Sequence, residues 1–143
     1  MTSITLRPAV MEDAKTLLEW RNDASTRSSS HNSGLVTMDE HVAWLSATLN
    51  NPNRKLFVAE EKGQSIGTVR ADLSEGVSEL SWTVAPSFRG RGLAKAMVSI
   101  LANRIDGPIR AEVKENNIAS IRVAEFAGMT IERNENGVLH FKR

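Results

Sequence analysis

The segment Ala85–Leu93, APSFRGRGL, brings two glycines and two arginines together just before a long apolar-periodic stretch. An alternating, Trp-bearing run precedes it, which predicts a strand, a Gly-rich turn and then a helix. In that arrangement the unpaired N–H groups of the first helical turn point outward, and the helix dipole attracts negative charge. Gly90 and Gly92 allow close backbone approach and positive φ, and Arg89 and Arg91 can bind a pyrophosphate through paired hydrogen bonds. The segment therefore indicates an anion-binding site.

The alternative without a binding function is an ordinary turn in which the glycines only relieve backbone strain and the arginines are exposed to solvent. No Gly-Lys-Ser/Thr follows, so the segment is not a Walker loop, and it lacks the GxGxxG of a dinucleotide fingerprint. A turn that only reverses the chain needs a single glycine, so two glycines with two cations favour the anion site.

Composition narrows the possible classes of function. The 143 residues have a net charge of +1, from 18 basic and 17 acidic side chains, which argues against a protein that coats nucleic acid. The absence of cysteine excludes disulfides, Cys-ligated metals and thiol nucleophiles, and no metal site is predicted. No apolar run approaches the ~18 residues of a membrane span, and no signal peptide is recognisable. We expect a cytoplasmic α/β protein with one domain over residues 1–143.

Periodicity predicts the element order βααβββαβαββ. Asp23–Gly34 is Ser-rich and is predicted to be a loop. Thr37 and Glu40 have the spacing of a capping box, followed by an apolar stripe of Met38, Val42, Leu45 and Leu49. Asn136-Gly137 predicts a tight hairpin turn. The remaining predicted elements are strands at Ile4–Arg7, Leu56–Glu60, Ser65–Ala71 and Ile109–Val113, and helices at Val10–Asn22, Leu93–Arg104 and Ile118–Ala127, the last with Ile121, Ala124 and Phe126 on its apolar face.

Two motifs resemble the GNAT superfamily of acetyl-CoA-dependent N-acetyltransferases. Arg89, Gly92 and Ala94 fill the fixed positions of its Arg/Gln-x-x-Gly-x-Gly/Ala motif. Downstream, its second pattern of an Asn, a small residue, a Tyr, a Gly and an apolar residue corresponds here to Asn117, Ser120, Ala124, Gly128 and Met129. The order, the spacing and the element string match over essentially the whole chain.

The resemblance implies a mixed, splayed sheet of six or seven strands flanked by about four helices, with acetyl-CoA as co-substrate in the splay. It assigns the pyrophosphate to the amides of Arg91 to Ala94 and the pantetheine arm to Asn117 and the Val84 backbone. The predicted cofactor-binding residues are Val84, Arg89, Gly90, Arg91, Gly92, Leu93, Ala94 and Asn117.

Acetyl transfer also needs a base for the amine. The resemblance favours Glu79, on the strand that leads to the cofactor turn; His31, His41 and His140 are alternatives. The family's general acid, a Tyr, is replaced by Ala124, and the chain has no Tyr. Ser120, one helical turn earlier on the same face, is the predicted substitute, unless the thiol leaves unaided or catalysis is impaired.

The N-terminal part is similar to the nucleotide-activated amino-sugar N-acetyltransferases, which carry a Trp-Arg-Asn…Arg…Glu-His pattern. Arginines suit phosphate and aromatic faces suit a base or sugar, although solvated arginines and a core Trp would give the same pattern. The predicted acceptor-binding residues are Trp20, Arg21, Asn22, Arg27, His41 and Trp44, with Glu40 completing the pattern.

The sequence therefore predicts direct acetyl transfer from acetyl-CoA to a small-molecule primary amine, with a nucleotide-linked amino sugar as the first acceptor hypothesis. Peptide N-termini, polyamines and aminoglycosides are alternative acceptors, and a non-catalytic acyl-CoA-sensing module is the alternative from another class. Neither nucleic acid nor a membrane is expected as a partner, and a homodimer is the default assembly.

Overall fold

A computed structural model describes residues 3–143, so Met1 and Thr2 of the predicted domain lie outside the described residues. Its seven strands form one mixed sheet in the order β1-β2-β3-β4-β5-β7-β6. Their bounds are β1 Ile4–Pro8, β2 Arg54–Glu61, β3 Gln64–Ser74, β4 Val77–Val84, β5 Ile109–Lys114, β6 Thr130–Glu135 and β7 Val138–Lys142.

Five α-helices flank the sheet, one more than the approximate prediction of four. They are α1 Ala14–Asn22, α2 Ala24–Ser29, α3 Met38–Leu49, α4 Leu93–Asn103 and α5 Ile118–Phe126. Short 3₁₀ turns cover Met11–Asp13 and Pro86–Phe88. Within residues 3–143, no helix combines the length and the apolar character that crossing a membrane requires.

The sheet opens between its two central strands. Strands β1 to β4 pair antiparallel, as do β5, β6 and β7. Between them, β4 and β5 run parallel but pair only at Ser78↔Ile109 and Glu79↔Arg110. Beyond these two pairs, β4 continues to Val84 beside β3 and β5 continues to Lys114 beside β7, but the two strands no longer pair with each other. This is the splayed sheet that the family resemblance led us to expect.

Two apolar cores cover the two faces. The larger joins α4 and α5 to the sheet through buried side chains such as Met97, Val98, Ile109 and Phe141. The smaller joins α1 and α3 to the other face; its buried residues are Ala9, Leu17, Trp20, Leu45, Leu56, Val58 and Ala85. Phe126, predicted to face inward from α5, is 62% exposed: Val123 and Ala124 take the buried face, and Lys95 lies over the Phe126 ring.

Helix α3 begins where the capping box predicts. The Thr37 hydroxyl accepts from the Glu40 amide, and Glu40 accepts from the Thr37 amide. The predicted apolar stripe is confirmed for Leu45, which is buried, and for Leu49, which packs against the smaller core, but it is wrong for Met38 and Val42, which are exposed. The buried positions are His41, Leu45 and Thr48, at i, i+4 and i+7, so the helix is turned to place His41 inside.

Helix α2 lies where the sequence predicts a loop. Its six residues are too short and Ser-rich to signal a helix. The Asp23 carboxylate accepts from the amides of Ser25 and Thr26 and so supplies the N-cap. Distant side chains fix the rest, since Arg89 binds Asp23 and Lys114 donates to the Ser28 carbonyl. Tertiary contacts, absent from local sequence, therefore account for this helix.

Gly67 of β3 lets three elements meet at the end of the sheet where β4 ends. It pairs with Val84, and a Cβ added here would overlap the Thr83 carbonyl oxygen and lie 2.7 Å from Met97 Cε. Only a glycine therefore allows α4 and β4 to approach β3 this closely.

We expect Gly67→Ala to lower the midpoint of thermal unfolding by roughly 3–8 °C, because overfilling a core costs about 1–3 kcal/mol. Gly34→Ala is the matched control, since the atom nearest to its added Cβ is Asn32 Oδ1 at 3.4 Å. Thermal melts of both variants followed by circular dichroism make the comparison. Equal midpoints for the two variants would contradict the close approach at Gly67.

Candidate active site

The opening between β4 and β5 contains a cavity of about 1170 Å³. On one side it is lined by the Gly-rich turn, the start of α4 and the first turns of α5. On the other side it is lined by α1, α2 and α3. A ligand that enters along the Gly-rich turn can therefore meet a second ligand held by the N-terminal helices.

The unpaired edge of β4 provides main-chain hydrogen-bonding groups to this cavity. In an antiparallel pair, successive residues direct their amide and carbonyl groups alternately toward and away from the partner strand. The Ala85 amide bonds to Ile66 of β3, and the Ser78 amide bonds to Pro108 on the β5 side. By this alternation the main-chain groups of Val84 and Trp82 face the opening, the side from which a pantetheine arm would have to reach Val84.

The Gly-rich turn has the backbone form of an anion cradle. Gly92 is the N-cap of α4 with a φ of 71°, and Gly90 has a φ of 78°. Among residues 3–143, no atom outside each glycine and its chain neighbours lies within 4 Å of the position of a Cβ on either residue. Gly90, Gly92, Leu93 and Ala94 all line the cavity, so the first amides of α4 are available to an anion.

The two arginines of the turn have other contacts. Arg89 donates to Asp23 Oδ2 and to Thr26 Oγ1, both at 2.7 Å. The hydrogen bond from Arg89 to Asp23 is the largest cause of the lowered pKa of the Asp23 carboxyl. Arg91 lies over the Phe88 ring, 5.2 Å from its centroid, and does not line the cavity. Arg89 therefore ties the turn to α2, and the main chain is the better candidate for the phosphate contacts.

Helix α5 presents its N-terminus to the same cavity. Asn117 caps the helix, accepting from the Ser120 amide at 3.2 Å, and both side chains line the cavity. The Ser120 hydroxyl oxygen in turn accepts from Trp82 Nε1 at 3.2 Å. Ala124, at the family's Tyr position, is fully buried and does not reach the cavity.

Four of the six predicted acceptor residues converge on the α1–α3 side: Trp20, Arg21, His41 and Trp44 line the cavity. His41 and Trp44 form a tilted ring pair with centroids 5.6 Å apart. The other two lie elsewhere. Asn22 binds both main-chain groups of Val36, and Arg27 donates to the Asn22 and Ser33 carbonyls. Asn22 and Arg27 therefore brace the α2–α3 connection.

Two polar atoms on this side lack partners among residues 3–143: Arg21 Nη1 and His41 Nε2 are both buried without a hydrogen bond. His41 is 4% exposed. Burial lowers the pKa of its ring; the Ala14 carbonyl opposes that shift, and the Arg21 charge adds to it. A neutral imidazole beside an incompletely bonded guanidinium leaves hydrogen-bonding capacity for a ligand.

Glu79, the predicted base, does not line the cavity. It lies at the closed end of the splay, where its carboxylate pairs with Arg110 at 3.2 Å. Sequence reasoning missed Glu112 of β5, which lines the cavity between His31 and His140, each with a ring nitrogen 3.5 Å from a carboxylate oxygen. The alternating polar positions of IRAEVK, opposite the buried ones, were the available signal.

Comparison with known proteins identifies the family. A model of the GNAT acetyltransferase domain matches residues 3–130. The chain belongs to the GNAT acetyltransferases. No curated protein sequence matches it. As a member of this family, it is an acetyl-CoA-dependent N-acetyltransferase, which supports the catalytic prediction over the sensing module.

Solved structures share the fold at low sequence identity. A spermidine N-acetyltransferase from Vibrio cholerae, holding CoA and spermine, has a TM-score of 0.87 and 18% identity, covering 98% of this chain and 94% of that one. An aminoglycoside acetyltransferase with coenzyme A and kanamycin has a TM-score of 0.85 and 20% identity, with 99% and 94% covered. The yncA protein of Salmonella typhimurium, with acetyl-CoA, has a TM-score of 0.81 and 23% identity, again with 99% and 94% covered.

We expect Gly92→Val to raise the Kd for acetyl-CoA at least tenfold, because the side chain strains a left-handed position and extends over the cradle amides. Gly76→Val is the matched control: its φ is 79°, its surroundings are equally open, and it lies in the β3–β4 turn. The free energy of unfolding of each variant should fall by roughly 1–2 kcal/mol, because a β-branched side chain is strained at a positive φ. Titration calorimetry measures the affinity, and a folded Gly92→Val protein with unchanged affinity would remove the cradle assignment.

Proposed function

We propose that this acetyltransferase acetylates a primary amine on a small acceptor that also carries negative charge, with a nucleotide-linked amino sugar as the best fit. The observation that carries the proposal is the charge of the cavity. Six of the lining residues are basic and two are acidic; they are Arg21, Arg70, Arg89, Lys95, Lys114 and Arg122 against Glu40 and Glu112.

The distribution of these charges matters more than their number. Arg89 is neutralised by Asp23 and Arg70 by Asp72. Glu40 is held in the α3 capping box, where the Thr37 hydrogen bonds lower its pKa. On the acceptor side, Arg21 has a nitrogen without a partner. Glu112 is therefore the carboxylate available in an otherwise basic cavity.

A polycationic acceptor fits this cavity poorly. The Vibrio cholerae structure holds spermine and the aminoglycoside enzyme holds kanamycin, both polyamines by chemistry. Such ligands need acidic walls, because like charges at short range are repelled. A cavity lined mainly by basic residues, with Glu112 as its available carboxylate, suits an acceptor that carries one reacting amine and is otherwise negatively charged.

The aromatic residues add to this preference. Arg70 lies over the Trp44 ring, 5.5 Å from its centroid, and Trp44 adjoins His41. Arg70 is itself bonded to Asp72, so the aromatic face can stack a nucleobase or pack a sugar while Arg21, with its unpartnered nitrogen, binds phosphate. These contacts support the nucleotide-sugar hypothesis over a peptide N-terminus.

We assign the donor to the opposite side of the opening. The pyrophosphate of acetyl-CoA would lie on the first amides of α4, and the pantetheine arm would follow the free edge of β4 past Val84 toward Asn117. This places the thioester in the opening, between the two sides of the cavity. The acceptor amine can then attack directly, with no covalent enzyme intermediate.

The reaction requires one proton acceptor. The amine nitrogen bonds to the thioester carbonyl carbon, the C–S bond breaks with its electron pair going to sulfur, and the nitrogen loses a proton. We propose that Glu112 takes this proton, since its carboxylate lines the cavity and is 32% exposed. The rings of His31 and His140 adjoin it, each with a nitrogen 3.5 Å from a carboxylate oxygen.

An acceptor screen tests the function. With acetyl-CoA, we expect thiol release with nucleotide-linked amino sugars and much weaker release with spermine, kanamycin or peptides. Arg21→Gln should raise the acceptor KM by about 10- to 100-fold, since a hydrogen bond to a charged group contributes about 1.5–3 kcal/mol. Arg27→Gln, which removes hydrogen bonds to the Asn22 and Ser33 carbonyls outside the cavity, should leave KM near the wild-type value. A preference for spermine would overturn the anionic-acceptor proposal.

A pair of glutamate variants tests the base. Glu112→Gln should lower kcat by about 100-fold or more while acetyl-CoA affinity is retained, because general-base catalysis contributes about 10²–10⁴. Glu79→Gln, the same change on the neighbouring strand outside the cavity, should retain kcat within a few-fold. Steady-state release of free CoA measures both. The reverse ranking would restore Glu79 as the base and exclude Glu112.

A further inference from the structure

The indole of Trp82 reaches from β4 to α5 at the point where the sheet opens. Its Nε1–H donates to Ser120 Oγ at 3.2 Å. Both residues line the cavity, and Trp82 also packs against the larger core. This hydrogen bond therefore joins the two elements between which the donor thioester is proposed to lie.

The bond determines what the Ser120 hydroxyl can do. An indole nitrogen only donates, so Ser120 Oγ must accept from it, and the hydroxyl proton must point away from Trp82. No hydrogen bond among residues 3–143 uses that proton, since the contacts of Ser120 in α5 are the Trp82 bond and the Asn117 cap on its amide. Trp82 therefore fixes the position of Ser120 Oγ, and the hydroxyl proton remains available to donate to a ligand.

The position of the unused donor matches a need of the reaction. When the C–S bond breaks, negative charge develops on the sulfur of CoA, and a hydrogen-bond donor aimed there stabilises the transition state. The chain has no Tyr, and Ala124 is buried away from the cavity. Ser120 lies one turn before Ala124, at the first turn of α5, where the helix dipole also favours an anion.

We propose that Trp82 is a positioning residue that fixes the Ser120 hydroxyl as a hydrogen-bond donor to the leaving CoA thiolate. The proposal rests on the proposed acetyl transfer. In this step the C–S electron pair moves to sulfur, the amine proton goes to Glu112, and the Ser120 O–H bond stays intact. An alcohol is a much weaker acid than a thiol with a pKa near 8.5, so Ser120 stabilises the thiolate and does not protonate it.

The indole strengthens this donor in two ways. It holds the Ser120 side chain and excludes orientations of the hydroxyl proton toward the indole, so less entropy is lost when the thiolate forms. Donation into Ser120 Oγ also polarises its O–H bond, because hydrogen bonds in a chain reinforce one another. Neither effect requires Trp82 to touch the substrate.

Single-turnover acetyl transfer by the full chain tests the proposal, using the best amine from the screen. Ser120→Ala should lower the rate by about 10- to 100-fold, Trp82→Phe by about 3- to 10-fold, and Ser120→Thr should retain most of the rate. Acetyl-CoA Kd should stay within about twofold in all three. Adding Trp82→Phe to Ser120→Ala should cause no further loss, since the indole acts through the hydroxyl.

The outcomes separate the proposals. Absence of CoA release by the wild type with every amine would overturn the proposed function and this inference together. If the wild type turns over and Ser120→Ala does so at the same rate, the inference alone is overturned. It is also overturned if Trp82→Phe lowers the rate by the same factor in the wild type and in the Ser120→Ala variant. If Trp82→Phe does not fold, the contrast between Ser120→Ala and Ser120→Thr decides, and equal losses in those two variants would overturn the donor role.

Discussion

The loss of pairing between β4 and β5 is the constraint on which the site depends. Two parallel strands that paired along their full length would bury their hydrogen-bonding groups in each other. Here the pairing stops at Glu79↔Arg110, so the rest of each strand must satisfy its amides and carbonyls elsewhere or leave them to a ligand. An extended ligand such as the pantetheine arm, with its own amides, supplies the complementary groups.

The elements around the opening follow from this constraint. The chain leaves β4 through the Gly-rich turn into α4, and it leaves β5 through Asn117 into α5. Both helices therefore present their N-termini at the opening, where their unpaired amides favour negative charge on the phosphates and on the developing thiolate. Trp82 crosses between the two sides, and Gly67 allows β3, β4 and α4 to approach closely behind the cradle. The donor side is thus built largely from main chain.

The large share of main chain in the proposed donor side explains which of its parts could be predicted from the sequence. Main-chain sites leave local signatures, so the glycines of the turn and every element of the order except α2 could be predicted from short segments. Helix α2 and the rotation of α3 could not, because they depend on contacts between residues far apart in the chain. Glu112 left a signal in the alternation of β5, but its neighbours His31 and His140 come from distant segments. Arg89 shows the limit within one motif: the sequence predicts that it binds the pyrophosphate, but its partner in the structure is Asp23, which lies 66 residues away.

The same Arg89 links the donor and acceptor sides. Its guanidinium joins the end of the Gly-rich turn to Asp23 and Thr26, which begin the segment that contains α2 and borders the acceptor side. A pyrophosphate on the cradle would lie near this guanidinium, and charge at that point would compete with Asp23 for it. With the pyrophosphate at the position that we propose, donor binding would therefore act through this ion pair on the segment that borders the acceptor side. The proposed donor and acceptor sites would then be coupled, because binding at either site would change the free energy of the same contact.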